Sequence, residues 1–167
     1  KLLSDTNLAI LLTIVIMLPA SVGLVSLGKP IIWLLFGLQE PGYALSYVGF
    51  SVLGIGIYQV SSGILQGLGK AYLPMISLII ALILKISLTY YLTGLESLDV
   101  KGAALATVIA YLVAASTNLT FLSKYLSLKW FSFKNHIFKP TLSVLVMAIV
   151  VQVAYLLLLS YVGNSLA

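Results

Sequence analysis

A single lysine, Lys85, stands well inside the apolar run "SLIIALILKISLTYYL", residues 77 to 92. An ammonium at the centre of a hydrocarbon layer costs about 2.5–3.5 kcal/mol on insertion scales, so the residue needs a compensating environment. Its neighbours at helical spacing are small or polar: Ser77, Ala81, Lys85, Thr89 and Thr93 step by four. Such a row drifts by about 40° per step but keeps its middle members on one side of a helix. Lys85 is about three residues outward of the middle of its span, a long reach for snorkelling to the interface. It is therefore expected to face either an interior cavity, where it would attract an anion, or an acid on another helix.

Two further rows carry side chains able to bind or bridge. Gln59, Ser62 and Gln66 fall at i, i+3 and i+7, on one helical face. Paired amides at that spacing serve either as glue between helices or as the border of a hydrated path. Gly63 and Gly67 beside them form a GxxxG, expected to permit close approach of a neighbouring helix. Gly102, Ala106, Ala110, Ala114 and Asn118 also step by four, a seam of small residues with one amide at its end and Thr107 alongside. Lys85, Gln59, Gln66 and Asn118 are thus the candidates for a substrate-facing cavity. Serines and threonines in such helices often bond back to their own backbone, so Thr89 and Thr107 need not bind anything.

The elements that would position these groups are set by composition. Hydrophobic residues make up 61% of the 167 and charged ones 8%, with mean hydropathy +1.15. Soluble domains carry roughly 25% charged residues, so the chain belongs to the membrane class. Five runs reach the ~20 residues needed to cross a bilayer: 8–27, 43–66, 72–93, 102–123 and 140–162. The expected fold is all-α and integral to the membrane. Little chain remains for a soluble catalytic domain. Without cysteine, disulfides and thiolate chemistry are excluded, and one histidine, His136, with four scattered acids builds no metal cluster. No span carries a nucleophile with a base, so an enzyme is not expected. The net charge of +5 resides in lysines near the ends of spans, which points to membrane contact rather than nucleic acid. Asp5 beside Lys1, followed by a full-length apolar stretch, argues against a cleaved leader.

The lysines sort by side. Lys1, Lys70, Lys124, Lys129, Lys134 and Lys139 fall on one side of the spans, and only Lys29 and Lys101 fall on the other, with Glu40, Glu96 and Asp99. The positive-inside rule then predicts a cytoplasmic N-terminus and an external C-terminus. In the connection 126–139, Trp130, Phe131 and Phe133 alternate with lysines, the mix expected of a cytoplasmic interfacial loop. In "SLGKPIIWLLFG", Gly28 and Pro30 are expected to interrupt the first span, leaving Ile31–Phe36 at the interface or on a neighbouring helix. Pro19 is expected to kink the same span. The fifth span offers few polar side chains, chiefly Ser143, Gln152 and Tyr155, and reads as peripheral and largely lipid-facing. An odd number of spans and a start at Lys1 suggest a piece of a larger protein.

The stretch "SSGILQGLGKAYLPMISLIIALILKISLTYYLT", followed by "VKGAALATVIAYLVAASTNL", resembles the C-terminal half of the flippases of the multidrug/oligosaccharidyl-lipid/polysaccharide superfamily. The features that carry this are "LP" with "VGLVSLGKPIIWLLFG" in the first span, the "LQGLGK" turn with its following proline, and "GAALAT" opening the fourth. Together they cover most of residues 14 to 125. The branch resembled is that of the stage V sporulation protein B-like proteins and the lipid II flippases. The resemblance implies about fourteen helices in two lobes plus a final pair. Residues 1–125 would be four helices of the second lobe and 140–162 a peripheral helix, with an N-terminal lobe absent from this chain. It further implies alternating access that moves a polyprenyl-diphosphate-linked saccharide, either lipid II or a polysaccharide repeat unit, across a bacterial plasma membrane. Lys85 would add positive charge to the headgroup's path. Partners would be the bilayer, the lipid-linked saccharide and the missing lobe. No cofactor is implied, and coupling to Na+ or H+ stays open. Some such flippases bind sodium through an Asn, an Asp and a Thr, which by pattern correspond to Thr89, Thr93 and Thr107, and the missing acid at Thr93 counts against that site. The alternatives are a multidrug exporter of the same superfamily, or a non-transporting membrane scaffold in which Lys85 pairs with an acid elsewhere.

Overall fold

Inside hydrocarbon every backbone amide must be satisfied within its own segment, which for apolar runs of this length means helix. The computed structural model describes residues 2–37, 40–94 and 99–126, with Val146, Met147, Val150 and Val153 beyond them. The helices are α1 (Leu2–Phe36), α2 (Glu40–Gly49), α3 (Ser51–Gly67), α4 (Tyr72–Thr93) and α5 (Asp99–Tyr125). Among the described residues, four helical stretches are long and apolar enough to cross a membrane: Leu3–Phe36, Tyr43–Gly67, Tyr72–Thr93 and Lys101–Tyr125.

The first helix departs from expectation. It runs unbroken through Pro19 and Pro30 to Phe36, so Gly28 and Pro30 do not interrupt it. Pro30 lacks an N–H for the carbonyl four residues back, but a single lost bond is tolerated where the rest of a long ladder persists. Gly28 serves packing instead: a Cβ there would stand 2.7 Å from the backbone nitrogen of Ser46 on α2. Residues Trp33 to Phe36 form the exposed last turn of α1, and Gly37, at φ 68°, ends it.

The second span is divided between α2 and α3 at Phe50, whose own backbone stays near-helical at φ −66°, ψ −25°. Neighbours supply the bonds disturbed there. Ser21 of α1 donates its hydroxyl to the Gly49 carbonyl at 2.8 Å, and Ser51 donates to Val48 at 2.7 Å. Gly49 lets the two helices meet at this point, since a Cβ would lie 2.8 Å from the Val25 nitrogen.

The "LQGLGK" turn is a helix stop written in backbone bonds. Lys70 N–H donates to the Leu65 carbonyl and Gly69 N–H to that of Gln66, each at 2.9 Å. That is the Schellman pattern, which needs a left-handed residue, and Gly69 supplies it at φ 72°. Pro74 then falls in the first turn of α4, where its missing N–H costs nothing.

Helix α5 packs along α4 and α3, and α1 lies against α2 and α3. The seam of small residues on α5 is the means of the first contact. Ala106 and Ala114 are fully enclosed, and Ala110 and Ala114 cluster with Ala81 of α4 and Tyr58 of α3. Nearer the α3–α4 turn, Ile10, Leu65, Leu73, Leu122 and Leu126 form a second apolar cluster. The expected close approach at Gly63 and Gly67 is not made: a Cβ at either would meet nothing within 4 Å among the described residues. Ser61, Ser62 and Leu65 turn inward on α3, and rotation of 100° per residue carries Gly63 and Gly67 away from the bundle.

The outer face of α4 is bare hydrocarbon, with Met75, Ile79, Leu82, Ile83 and Ile86 exposed. Exposed tyrosines bracket it, Tyr72 at one end and Tyr90 and Tyr91 at the other. At 1.5 Å per residue Tyr72 and Tyr90 are about 27 Å apart, close to the ~30 Å hydrocarbon thickness. This is the spacing of two aromatic belts. The loop 126–139 beyond Leu126, with His136, lies outside the described residues. So does the span 140–162, except for four positions. Of those, Val146, Val150 and Val153 are exposed, and Met147 Cε comes within 3.9 Å of where a Cβ at Gly23 would be.

Candidate functional site

The Ser77–Ala81–Lys85–Thr89–Thr93 row is graded in burial. Ser77 and Ala81 are enclosed, Lys85 and Thr89 are half-buried, and Thr93 is exposed. Its inner half is the face that α4 presents to α5. Lys85 emerges two turns from Ser77, about 12 Å along the axis, and about five residues inside the Tyr90 belt. A helical side chain leans toward the N-terminus of its helix. For Lys85, near the C-terminal end of α4, that direction is deeper into the membrane and away from the nearer interface. The side chain of Lys85 therefore leaves the helix in the direction away from the nearer interface.

Asn118 occupies a different place. It is fully enclosed where α3, α4 and α5 meet. Its Oδ1 accepts from the Ser77 hydroxyl at 2.5 Å, and its amide donates to Ser62 Oγ at 2.8 Å and to the Tyr58 carbonyl at 3.4 Å. Two acceptors on one side orient the amide nitrogen toward α3. Ser77 also lies 3.2 Å from the Leu73 carbonyl, but its single proton is drawn to the shorter contact. Tyr58 adds a further tie to α4, donating its hydroxyl to the Pro74 carbonyl at 3.2 Å. Every donor of the Asn118 amide is thus engaged within the bundle, which makes it a structural knot among three helices. Its role was legible only in part: the alanine seam announced its face, but nothing local pointed to Tyr58 or Ser62 as partners.

Gln59 and Gln66 lie on the other side of α3, exposed together with Gly63 and Gly67. Two amides in a span with no cover among the described residues need water or another protein surface, because lipid cannot satisfy them. The structure therefore separates the four candidates. Asn118 is inside the bundle, Lys85 at the edge of the α4–α5 seam, and the glutamines on an open face of α3.

Two of the three threonines bond to their own helices. Thr93 donates to the Thr89 carbonyl at 2.6 Å and Thr107 to that of Ala103 at 2.9 Å. Among the described residues no three His, Cys, Asp or Glu side chains gather at a point that could hold a metal.

A helical, lysine-bearing membrane unit of this design can contribute walls and charge to a passage but holds no bond-making machinery among its described residues. No curated protein and no solved structure matches the chain. A family model does match, that of the lipid II flippase MurJ, over residues 1–167. It falls in the branch of the superfamily that "LQGLGK" and "GAALAT" resembled. Because the match runs the full length given, the chain belongs to the lipid II flippase MurJ family, a family of multi-pass membrane transporters rather than catalysts.

Proposed function

We propose that this chain is part of the C-terminal transport lobe of a flippase that moves a polyprenyl-diphosphate-linked saccharide across the bacterial plasma membrane by alternating access. The observation that carries the reading is the full-length family match, and the position of Lys85 gives it a chemical handle. A diphosphate headgroup entering a low-dielectric span loses hydration, and a fixed ammonium replaces part of it. Lys85 is half-buried in a span, and the lean expected of a helical side chain carries it away from the nearer interface, which supports a contact between its charge and such a headgroup. Gln59 and Gln66 on the open face of α3 would border the hydrated path or meet the remaining lobe.

The larger architecture belongs to the same proposal: about fourteen helices, with residues 140–162 a peripheral span, the N-terminus cytoplasmic and the C-terminus external. The lysine distribution supports that orientation. Coupling to Na+ or H+ is a further element. A sodium site at Thr89, Thr93 and Thr107 is disfavoured, because a threonine stands at 93 where the pattern has an acid and two of the hydroxyls serve their own helices.

Depletion of the intact protein in cells tests the function, with the expectation that the polyprenyl-diphosphate-linked saccharide accumulates on the cytoplasmic side. An unchanged precursor distribution would remove the reading. For Lys85, complementation by Lys85→Ala at matched expression is expected to fail and by Lys85→Arg to survive in part. Wild-type growth with Lys85→Ala would end the headgroup role while leaving the transport assignment standing.

A further inference from the structure

At the end of the bundle where α5 begins, two ammonium groups converge on one aromatic ring. Lys29 Nζ of α1 lies 3.8 Å from the centroid of Tyr43 on α2, and Lys101 Nζ of α5 lies 4.8 Å from the same centroid. The backbones from which both lysines spring are pinned by their neighbours. Gly28 brings α1 onto Ser46 of α2, and Gly102 brings α5 onto Leu92 of α4, where a Cβ would stand 2.6 Å from the carbonyl carbon. The convergence is thus held by four helices, α1 on α2 and α5 on α4 with α2 also against α5, and does not depend on the reach of flexible side chains alone.

The two ammoniums, at 3.8 and 4.8 Å from one centroid, are less than about 9 Å apart and repel, more strongly at a membrane surface than in bulk water. Glu40, Glu96 and Asp99 of the same end lower the net charge there. The quadrupole of one ring offsets only part of that repulsion. An anion close to both ammoniums would relieve it. Lysine acts on phosphate as a point charge and needs no fixed fork, and the tyrosine hydroxyl can donate to the same group. Depth then narrows the source of the phosphate. Tyr43 and Lys101 open the spans Tyr43–Gly67 and Lys101–Tyr125, so the cluster lies at headgroup level. Trp33, one turn beyond Lys29 and 56% exposed, can rest at the same boundary.

We propose that Lys29, Tyr43 and Lys101 form a binding site for the phosphate of an anionic membrane lipid in the leaflet facing that end. The site is independent of Lys85, which lies within the span. The opposite end of the bundle supplies a control: there, among the described residues, one ammonium, Lys70 Nζ, stands over the Tyr125 ring at 5.7 Å from its centroid.

Native mass spectrometry of the intact protein, delipidated and re-exposed to phosphatidylglycerol or phosphatidylcholine, tests this. Lys29→Gln with Lys101→Gln is expected to lower retained phosphatidylglycerol about tenfold, while Lys70→Gln leaves it unchanged and phosphatidylcholine retention does not respond. Lys29→Arg with Lys101→Arg should keep the lipid, and an unaltered melting temperature shows that the glutamine variant is folded. The proposal is overturned if the glutamine pair retains phosphatidylglycerol as the parent does, or if Lys70→Gln loses as much. Displacement of the lipid by millimolar inorganic phosphate would overturn the lipid assignment in favour of a free-phosphate site.

Discussion

The Ser77 hydroxyl donates to Asn118 Oδ1 across 2.5 Å, joining α4 to α5. Asn118 passes the connection to α3 through Ser62 and the Tyr58 carbonyl. Asn118→Ala should therefore loosen three helices at once. Interhelical hydrogen bonds in membranes average about 0.6 kcal/mol and reach about 1.7, so the loss, with its small cavity, is expected at about 2–3 kcal/mol. Denaturant unfolding of the purified intact protein would measure it. A Ser77→Ala, Asn118→Ala double-mutant cycle should return a coupling of about 0.5–1.5 kcal/mol, and strict additivity would show that the bond contributes nothing.

Gly102 and Gly63 are expected to respond in opposite ways. A Cβ at Gly102 would press on the Leu92 backbone, forcing α4 and α5 apart. Gly102→Ala is predicted to cost about 1–3 kcal/mol, in the range of overpacking. Gly63 meets nothing within 4 Å among the described residues, so Gly63→Ala should be neutral or stabilise α3 by up to about 1 kcal/mol through helix propensity. Melting temperatures of the two variants, compared side by side, provide the check.

The α3–α4 turn depends on one left-handed residue. Gly69 at φ 72° closes the Schellman bonds, and an alanine there pays a steric cost of about 1–2 kcal/mol. Gly69→Ala is expected to lower stability by that amount, and Gly69→Asn by less, because asparagine tolerates this region. Equal melting of all three proteins would show that the turn relaxes to another geometry.

The threonines of α4 and α5 offer a test of ion coupling. Thr93 and Thr107 spend their protons on their own helices. Thr93→Val and Thr107→Val should change stability by no more than about 0.5 kcal/mol and leave growth complementation equally insensitive to external sodium. A sodium-dependent defect in either variant would assign these oxygens to an ion.

Some of this was readable from local chemistry. Four helices follow from runs of about 20 apolar residues, because a bilayer leaves the backbone no other economy. The alanine seam of α5 and the inward row of α4 follow from a spacing of four. Gly69 announces its turn through "LQGLGK". Pro30 was a poorer guide: it implied an interruption, but α1, packed along α2 and α3, stays helical through it. Gly63 and Gly67 matched a packing motif, yet Gly49, Gly54 and Gly56 make the close approaches in this bundle.

The sequence by itself determined the membrane class, the helical segments and the polar positions on each, since hydropathy and helical period are properties of neighbouring residues. Only the tertiary structure decided which of those positions are spent holding helices together and which remain open. Asn118 and Gln59 are both amides in apolar spans, but one is enclosed by α3 and α4 and the other looks outward. Likewise Lys29, Tyr43 and Lys101 come from three separate helices, and no local pattern links them. Their convergence depends on how closely glycines let backbones approach, a quantity fixed by packing between segments distant in the chain.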